Sequence, residues 1–434
     1  KPEFDISQMY EIRTGLEELS VEQVSMYANP KFSSLQMDEI HDGFKEGFSI
    51  EQVSMYANPE FSSLQMGEIH DGFKEGLSIE QVSTYAKPEF GYKQMEEIRK
   101  GLENNLPMEQ INVYAKLEFS NKQMHQIREG FEDGLSMEQI NVYAKPKFGS
   151  FQMEVIRDGL EEGFSMEQVR MYAKPEFSSE QMQKIRHGFI NGLSMEQVSV
   201  YAKPEFNSKQ MEELKDALRS GLSIEQVIMC AKPELDNVQM WEIRDGLEYG
   251  LSMEQVSVYA KSEFDSNQMG VIKNGFENGL SMEQVSVYAK PEFNSNQMRL
   301  IEDGFRNKLS IEQVKVYAKP EFDQNQMWQI ENGLDEYKLS IEQVSTYAKP
   351  KLGIIQMEQV GVYAKPEFDI SQMHEIRKGY ENHLSAEQIN MYAKPEFDQN
   401  QMWQIRDGFK RGLSVKQVSV YAKRSEEHTS ELQS

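Results

Sequence analysis

The chain has 434 residues, and 71 Asp and Glu against 46 Lys and Arg give it a formal charge of −25. Nucleic-acid binding needs clustered Lys and Arg, so an acidic balance spread along the chain disfavours it. The single cysteine, Cys230, excludes an internal disulfide, and no apolar run approaches the ~18 residues that a membrane-spanning helix requires.

One unit recurs about every 29 residues from Lys1 to Lys423, and a Gln-Met pair opens the second half of every copy. A fixed period of this length is typical of stacked repeats that share one continuous core. We therefore predict an all-α fold, a right-handed α-solenoid of 15 helix-turn-helix units over residues 1–423.

Each unit is predicted to begin with a longer helix. Ser178 followed three residues later by Gln181 forms a capping box, and Phe177 with Met182 supplies a hydrophobic staple. Met182, Ile185 and Phe189 then recur at helical spacing, so we expect the Met residues to be core and the helix to run for about 12 residues.

A glycine lies inside this helix in every complete unit except one, which has Ala217. Because a mid-helix Gly costs about 1 kcal/mol relative to Ala, its recurrence at positions such as Gly188 implies the close approach of another backbone. The alternative is that the helix breaks at the glycine.

A shorter helix of about 8 residues should follow. Gly192 and Leu193 are typical of a left-handed helix stop, and Ser194 to Gln197 repeats the capping box. Pro204 then closes the unit.

Two segments depart from the repeat. The unit at residues 351–366 lacks most of its longer helix, which predicts a local kink or reflects a misassembled sequence. Residues 424–434 resemble a translated sequencing adapter, and we expect this tail to be non-native and disordered. The chain starts inside a unit, so no export signal can be sought; the compartment stays open, with the cytoplasm favoured.

No constellation of unlike catalytic groups appears, and the motifs of zinc, calcium and phosphate sites are missing from the sequence. The histidines are scattered and are predicted to be surface cations. We therefore expect no enzymatic activity, no cofactor and no metal site.

Variation concentrates directly after the invariant Met, where all three tryptophans of the chain lie. This position should face away from the core, and exposed aromatic side chains there are typical of contact hot spots. The candidate partner-binding residues are Tyr10, His125, Trp241, Arg299, Trp328, His374 and Trp403. A relaxed surface that tolerates any residue is the alternative interpretation.

Leu193 to Val198, with Ala202 and Gln210 beyond, resembles the Leu-Thr-x-Glu-Gln-Val frame of TAL-effector DNA-binding repeats. The resemblance implies a short helix, a loop and a long helix per unit, with bases read at Lys203-Pro204-Glu205. That stretch is nearly constant here, whereas the variable residues lie elsewhere.

We thus expect a non-enzymatic scaffold that binds a protein or peptide through the variable stripe. A nucleic-acid-binding array of the TAL-effector type and a structural spacer or surface stalk are the alternatives. Oligomeric state is left open by the sequence.

Overall fold

A computed structural model describes residues 3–336, 338–345, 348 and 367–422. Within these ranges the chain folds into helices joined by short turns, and none of the described residues forms a strand. The described part also contains no helix with the length and apolar character needed to cross a membrane. The truncated unit at 351–366 and the tail at 424–434 lie outside the described residues, so the expectations for them stay predictions.

Each described repeat supplies a longer and a shorter helix. The longer helices have 12 or 13 residues and are Ile6–Glu18, Ser34–Lys45, Ser63–Lys74, Tyr92–Glu103, Asn121–Glu132, Ser150–Glu161, Ser179–Ile190, Ser208–Arg219, Asn237–Tyr249, Ser266–Glu277, Ser295–Arg306, Gln324–Asp335, Ile370–Glu381 and Gln399–Lys410. The shorter helices are Val21–Tyr27, Ile50–Ser54, Ile79–Val82, Met108–Tyr114, Met137–Tyr143, Met166–Tyr172, Met195–Tyr201, Ile224–Cys230, Met253–Tyr259, Met282–Tyr288, Ile311–Val314, Ile341–Ser345 and Ala386–Asn390, with a last one at residues 415–422. Met195–Tyr201, with 7 residues, is slightly shorter than predicted.

Contacts between Cα atoms divide the chain into two units, one ending at Lys215 and the other starting at Asp216. Within each unit the longer helix of one repeat packs against the longer helix of the next, and the shorter helices pack beside them. Such packing of successive neighbours confirms a helical solenoid, while its hand stays a prediction.

The core of a repeat is built from the residues that the helical spacing indicates. Met182, Ile185, Phe189, Tyr201 and Phe206 are all buried, which confirms that the Met stripe is core. The predicted ends are also present. Ser178 and Gln181 exchange both bonds of a capping box, and Gly192 has a left-handed φ of 80°.

The invariant glutamine has a second role that the sequence pattern does not show. While Gln181 Oε1 accepts from the cap N–H, Gln181 Nε2 donates to Phe206 O at 2.6 Å and to Pro204 O at 3.2 Å in the next repeat. A Glu could close the capping box but could not donate to these carbonyls. The same bond to the next Phe carbonyl is made by Gln8, Gln36, Gln65, Gln94, Gln123, Gln152, Gln239, Gln268, Gln297 and Gln372.

The mid-helix glycine makes room for a tyrosine. A Cβ added to Gly188 would lie 1.9 Å from Tyr201 Oη of the following short helix. Close packing is confirmed, but the expected partner was wrong, since a side chain and not a backbone approaches. The one repeat with an alanine here, Ala217, is also the one whose tyrosine is replaced, by Cys230, which is buried.

We predict that Gln181→Glu destabilises the chain by about 2 kcal/mol, because it removes the donor and turns a buried carboxylate towards two carbonyl oxygens. The measurement is urea unfolding of the 434-residue chain followed by circular dichroism. Gln197→Glu is the matched control, since Gln197 closes the capping box of the shorter helix and, among the described residues, makes no hydrogen bond to the next repeat. It should change stability by less than about 0.5 kcal/mol. Equal effects of the two substitutions would contradict the role assigned to the inter-repeat bond.

The Gly–Tyr pair should behave as one unit. Gly275→Ala places a methyl group about where Tyr288 Oη lies and should cost about 2 kcal/mol, and Tyr288→Cys alone should cost about 3 kcal/mol through the cavity it leaves. The double variant recreates the pair found at Ala217 and Cys230. Its loss in free energy of unfolding should therefore be smaller than the sum of the two single losses by more than about 1 kcal/mol. Strictly additive costs in the same unfolding assay would show that the two positions are independent.

Candidate functional site

The variable position after the invariant Met lies on the outer side of the longer helix. None of the described residues at this position is buried, although the Met beside it is buried in every described repeat after the first. Around Trp241, the neighbour Val238 is exposed and Asp245 is partly exposed, as the helical geometry predicts. The outward stripe is therefore present within each of the two units.

The three tryptophans remain accessible to solvent. Their exposed fractions are 40% for Trp241, 48% for Trp328 and 42% for Trp403. A tryptophan buries a large apolar surface when covered, so an exposed one offers a partner considerable binding energy.

The other candidates differ in the contacts that they already make with side chains of this chain. His125 lies 3.3 Å from Glu97 Oε2 and 3.0 Å from Glu129 Oε1, so it is held by carboxylates of its own array. Burial and the cations Lys378 and Arg377 lower the pKa of His374, which favours its neutral form. Tyr10 is exposed, with the guanidinium of Arg13 above its ring.

Two pairs of candidates lie on adjacent longer helices, Arg299 with Trp328 and His374 with Trp403. Arg299 and Trp328 also line one cavity of about 360 Å³ between the helices Ser295–Arg306 and Gln324–Asp335. Trp328 also lines a second cavity of about 460 Å³ between the same helices, with Asp303, Glu331 and Asp335 among its other walls. Tyr10, His125, Trp241, His374 and Trp403 lie on separate helices and line neither cavity.

Buried and half-buried ion pairs join the longer helices of adjacent repeats beneath the stripe. The cation follows the conserved Ile or Leu of one repeat, and its carboxylate lies 31 residues earlier. The N–O distances are 3.0 Å for Arg99–Glu68 and 2.9 Å for Arg128–Glu97, Lys273–Glu242 and Arg406–Glu375. We call the residue that directly follows this Ile or Leu the ladder position.

In two adjacent repeats the side chain at the ladder position is acidic instead of basic; we call these two positions the reversed ladder. They carry Glu302 and Glu331, and both side chains are buried, with exposed fractions of 6% and 5%. The residues 31 positions earlier are Val271 and Leu300, so the usual carboxylate is missing there as well. The other complete repeats have a cation or histidine at this position: Arg13, His41, His70, Arg99, Arg128, Arg157, Arg186, Lys215, Arg244, Lys273, Arg377 and Arg406.

The surroundings of the reversed residues disfavour a negative charge. Burial, followed by the nearby Asp303, raises the pKa of Glu331 to about 7. Burial likewise raises the pKa of Glu302. Sequence reasoning missed both residues; the signal was available, since comparing this position across the repeats shows the reversal.

Two of the histidines lie at the ladder position and are not on the surface. His41 and His70 were predicted to be surface cations, but both are buried, because the ladder position faces the neighbouring helix. Asp38, His41 and Asp42 bring possible ligand atoms within 4.8 Å of one another. In the next repeat Gly67 stands in place of Asp38, and the expectation of no metal stays a prediction.

The reversed ladder predicts a pH dependence. Because the pKa of Glu331 rises from 4.5 to about 7 on folding, Glu331 destabilises the folded chain increasingly as the pH rises from about 4.5 through 7. Glu331→Gln should therefore match the wild type near pH 5 and exceed its stability at pH 8 by about 2 kcal/mol. Urea unfolding at the two pH values measures this difference.

Glu97→Gln is the control for that comparison. It removes the buried partner of Arg128 and should lower stability at pH 8. A loss of stability in Glu331→Gln at pH 8 would show that its carboxylate is compensated in the folded chain.

Comparison with models of known protein families gives no match for this chain, and comparison with curated proteins also gives none.

Proposed function

We propose that the chain is a non-enzymatic scaffold that binds a protein or peptide partner through the variable stripe on its longer helices. The observation that carries this proposal is the exposure of Trp241, Trp328 and Trp403 at one position of an otherwise repetitive helix. Tryptophan is enriched among the residues that dominate binding energy at protein interfaces.

The form of the surface around Trp328 supports the same proposal. Two cavities flank this side chain between neighbouring helices, so the surface is indented and a partner side chain could enter beside the indole. The walls of both cavities combine Leu300 and the indole with polar and charged side chains, which offer a partner apolar contact together with hydrogen bonds and opposite charges.

Charge favours a protein or peptide over a nucleic acid. The formal charge of −25 repels phosphates, and the cations of the ladder position are engaged with carboxylates in the pairs described above. The Lys203-Pro204-Glu205 stretch, which the TAL-effector resemblance assigns to base reading, is exposed but nearly constant among the repeats.

Selection of binders from a random peptide phage library against the full chain tests the proposal. The selected peptides should lose at least about tenfold in affinity for the triple variant Trp241→Ala, Trp328→Ala, Trp403→Ala, since each truncated hot spot costs 1 kcal/mol or more. Binding is measured by isothermal titration calorimetry.

A second triple variant provides a matched control. Met195, Met253 and Met282 begin shorter helices and are about as exposed as the tryptophans, at 41%, 44% and 39%. Changing all three to Ala removes similar apolar surface away from the stripe and should alter affinity by less than about twofold. Failure to enrich any peptide, or a greater loss in the Met variant, would contradict the proposal.

A further inference from the structure

Glu331 is a carboxylate at the ladder position, where the other complete repeats, apart from the one with Glu302, carry a cation or a histidine. Asn307 Nδ2 donates to Glu331 Oε1 at 3.3 Å, and no donor reaches Oε2 among the residues that the structure describes. A buried carboxylate with a single hydrogen bond is costly to ionise, so a cation placed beside it would be bound favourably.

Glu331 lines the cavity of about 460 Å³ beside Trp328, together with Asp303, Asp335 and Arg306. Arg306 lies 3.4 Å from Asp303, and Lys338 lies 3.2 Å from Asp335, all four in exposed or half-exposed positions. These cations therefore pair with carboxylates at the rim of the cavity, where solvent screens the charges. Glu331 lies at the buried wall of the cavity.

An earlier pair of longer helices holds a lysine at this interface, since Lys273 occupies the position of Glu331 and Asp245 that of Asp303. Lys273 Nζ lies 5.0 Å from the centre of the Trp241 ring, 2.9 Å from Glu242 Oε2, and also pairs with Asp245. An indole face and carboxylates thus surround an ammonium group that the array itself supplies. In the pair of helices that carries Glu331 the indole comes from the other helix, because Arg299 stands at the position of Trp241 and Trp328 at that of Gly270. The ladder position there holds a carboxylate instead of a lysine, and this carboxylate and the indole line one cavity.

We propose that the cavity lined by Trp328, Glu331, Asp303 and Asp335 binds a positively charged side chain, lysine or arginine, of the partner peptide. This inference rests on the proposed function and adds the chemistry of one contact. The indole favours an organic cation over a hard metal ion, which would require six or more oxygen ligands.

The test uses the full chain carrying Trp241→Phe and Trp403→Phe, so that Trp328 is the only tryptophan left to report by fluorescence. Three blocked tripeptides are titrated at pH 8: Gly-Lys-Gly, Gly-Arg-Gly and the neutral Gly-norleucine-Gly, with calcium chloride as a fourth ligand. We expect saturable fluorescence changes with Lys and Arg at concentrations on the order of millimolar, and none with norleucine or calcium.

Glu331→Gln in that background should weaken binding of the charged peptides at least about tenfold. Glu302→Gln is the matched control, since Glu302 is equally buried and also accepts from an Asn side chain but is absent from the walls of this cavity. It should change binding by less than about twofold.

Equal binding of all three peptides would overturn the inference while leaving the proposed peptide-binding surface standing. A response to calcium alone, no response to any ligand, or an unchanged affinity in Glu331→Gln would also overturn it. Circular dichroism of each variant confirms that the fold is retained. The proposed function is judged separately, by the selected peptides and the tryptophan variant.

Discussion

One side-chain amide connects folding within a repeat to stacking between repeats. The Oε1 of the invariant Gln accepts from the helix cap, while its Nε2 donates to carbonyls of the next connector, as in Gln181 with Phe206. Helices of 12 and 7 residues are too short to persist alone in water. The amide makes helix initiation and attachment to the next repeat depend on the same group, so local and inter-repeat structure form together.

Much of the fold was predictable from the sequence because caps, staples and helical periodicity are local signals. Ser178, Gln181, Met182 and Gly192 were assigned their positions correctly from spacing alone. The sequence did not indicate which side chains contact each other between helices. Helical period indicates which face is buried, but it does not indicate that Tyr201 occupies the space above Gly188 or that His41 faces a neighbouring helix.

The candidate site shows the same division. The outward direction of the variable stripe follows from its offset from the Met, and the structure confirms it. Which stripe residues remain available depends on the neighbouring repeat, which no single unit reveals. Lys273 already covers the ring of Trp241, whereas Trp328 borders two cavities. Lys273 belongs to the repeat after Trp241, whereas the repeat after Trp328 is the truncated unit, which lies outside the described residues.

The Gly–Tyr pairs and the ladder pairs differ in how they would survive duplication of repeats. Both members of a Gly–Tyr pair lie in one repeat, so copying a repeat carries the complete pair, and Ala217 with Cys230 can be inherited as a block. A ladder pair spans two repeats, so each duplication joins a cation to a new neighbour. An array of this kind can lengthen without disturbing its core, while every new junction rearranges the charges beneath its outer surface.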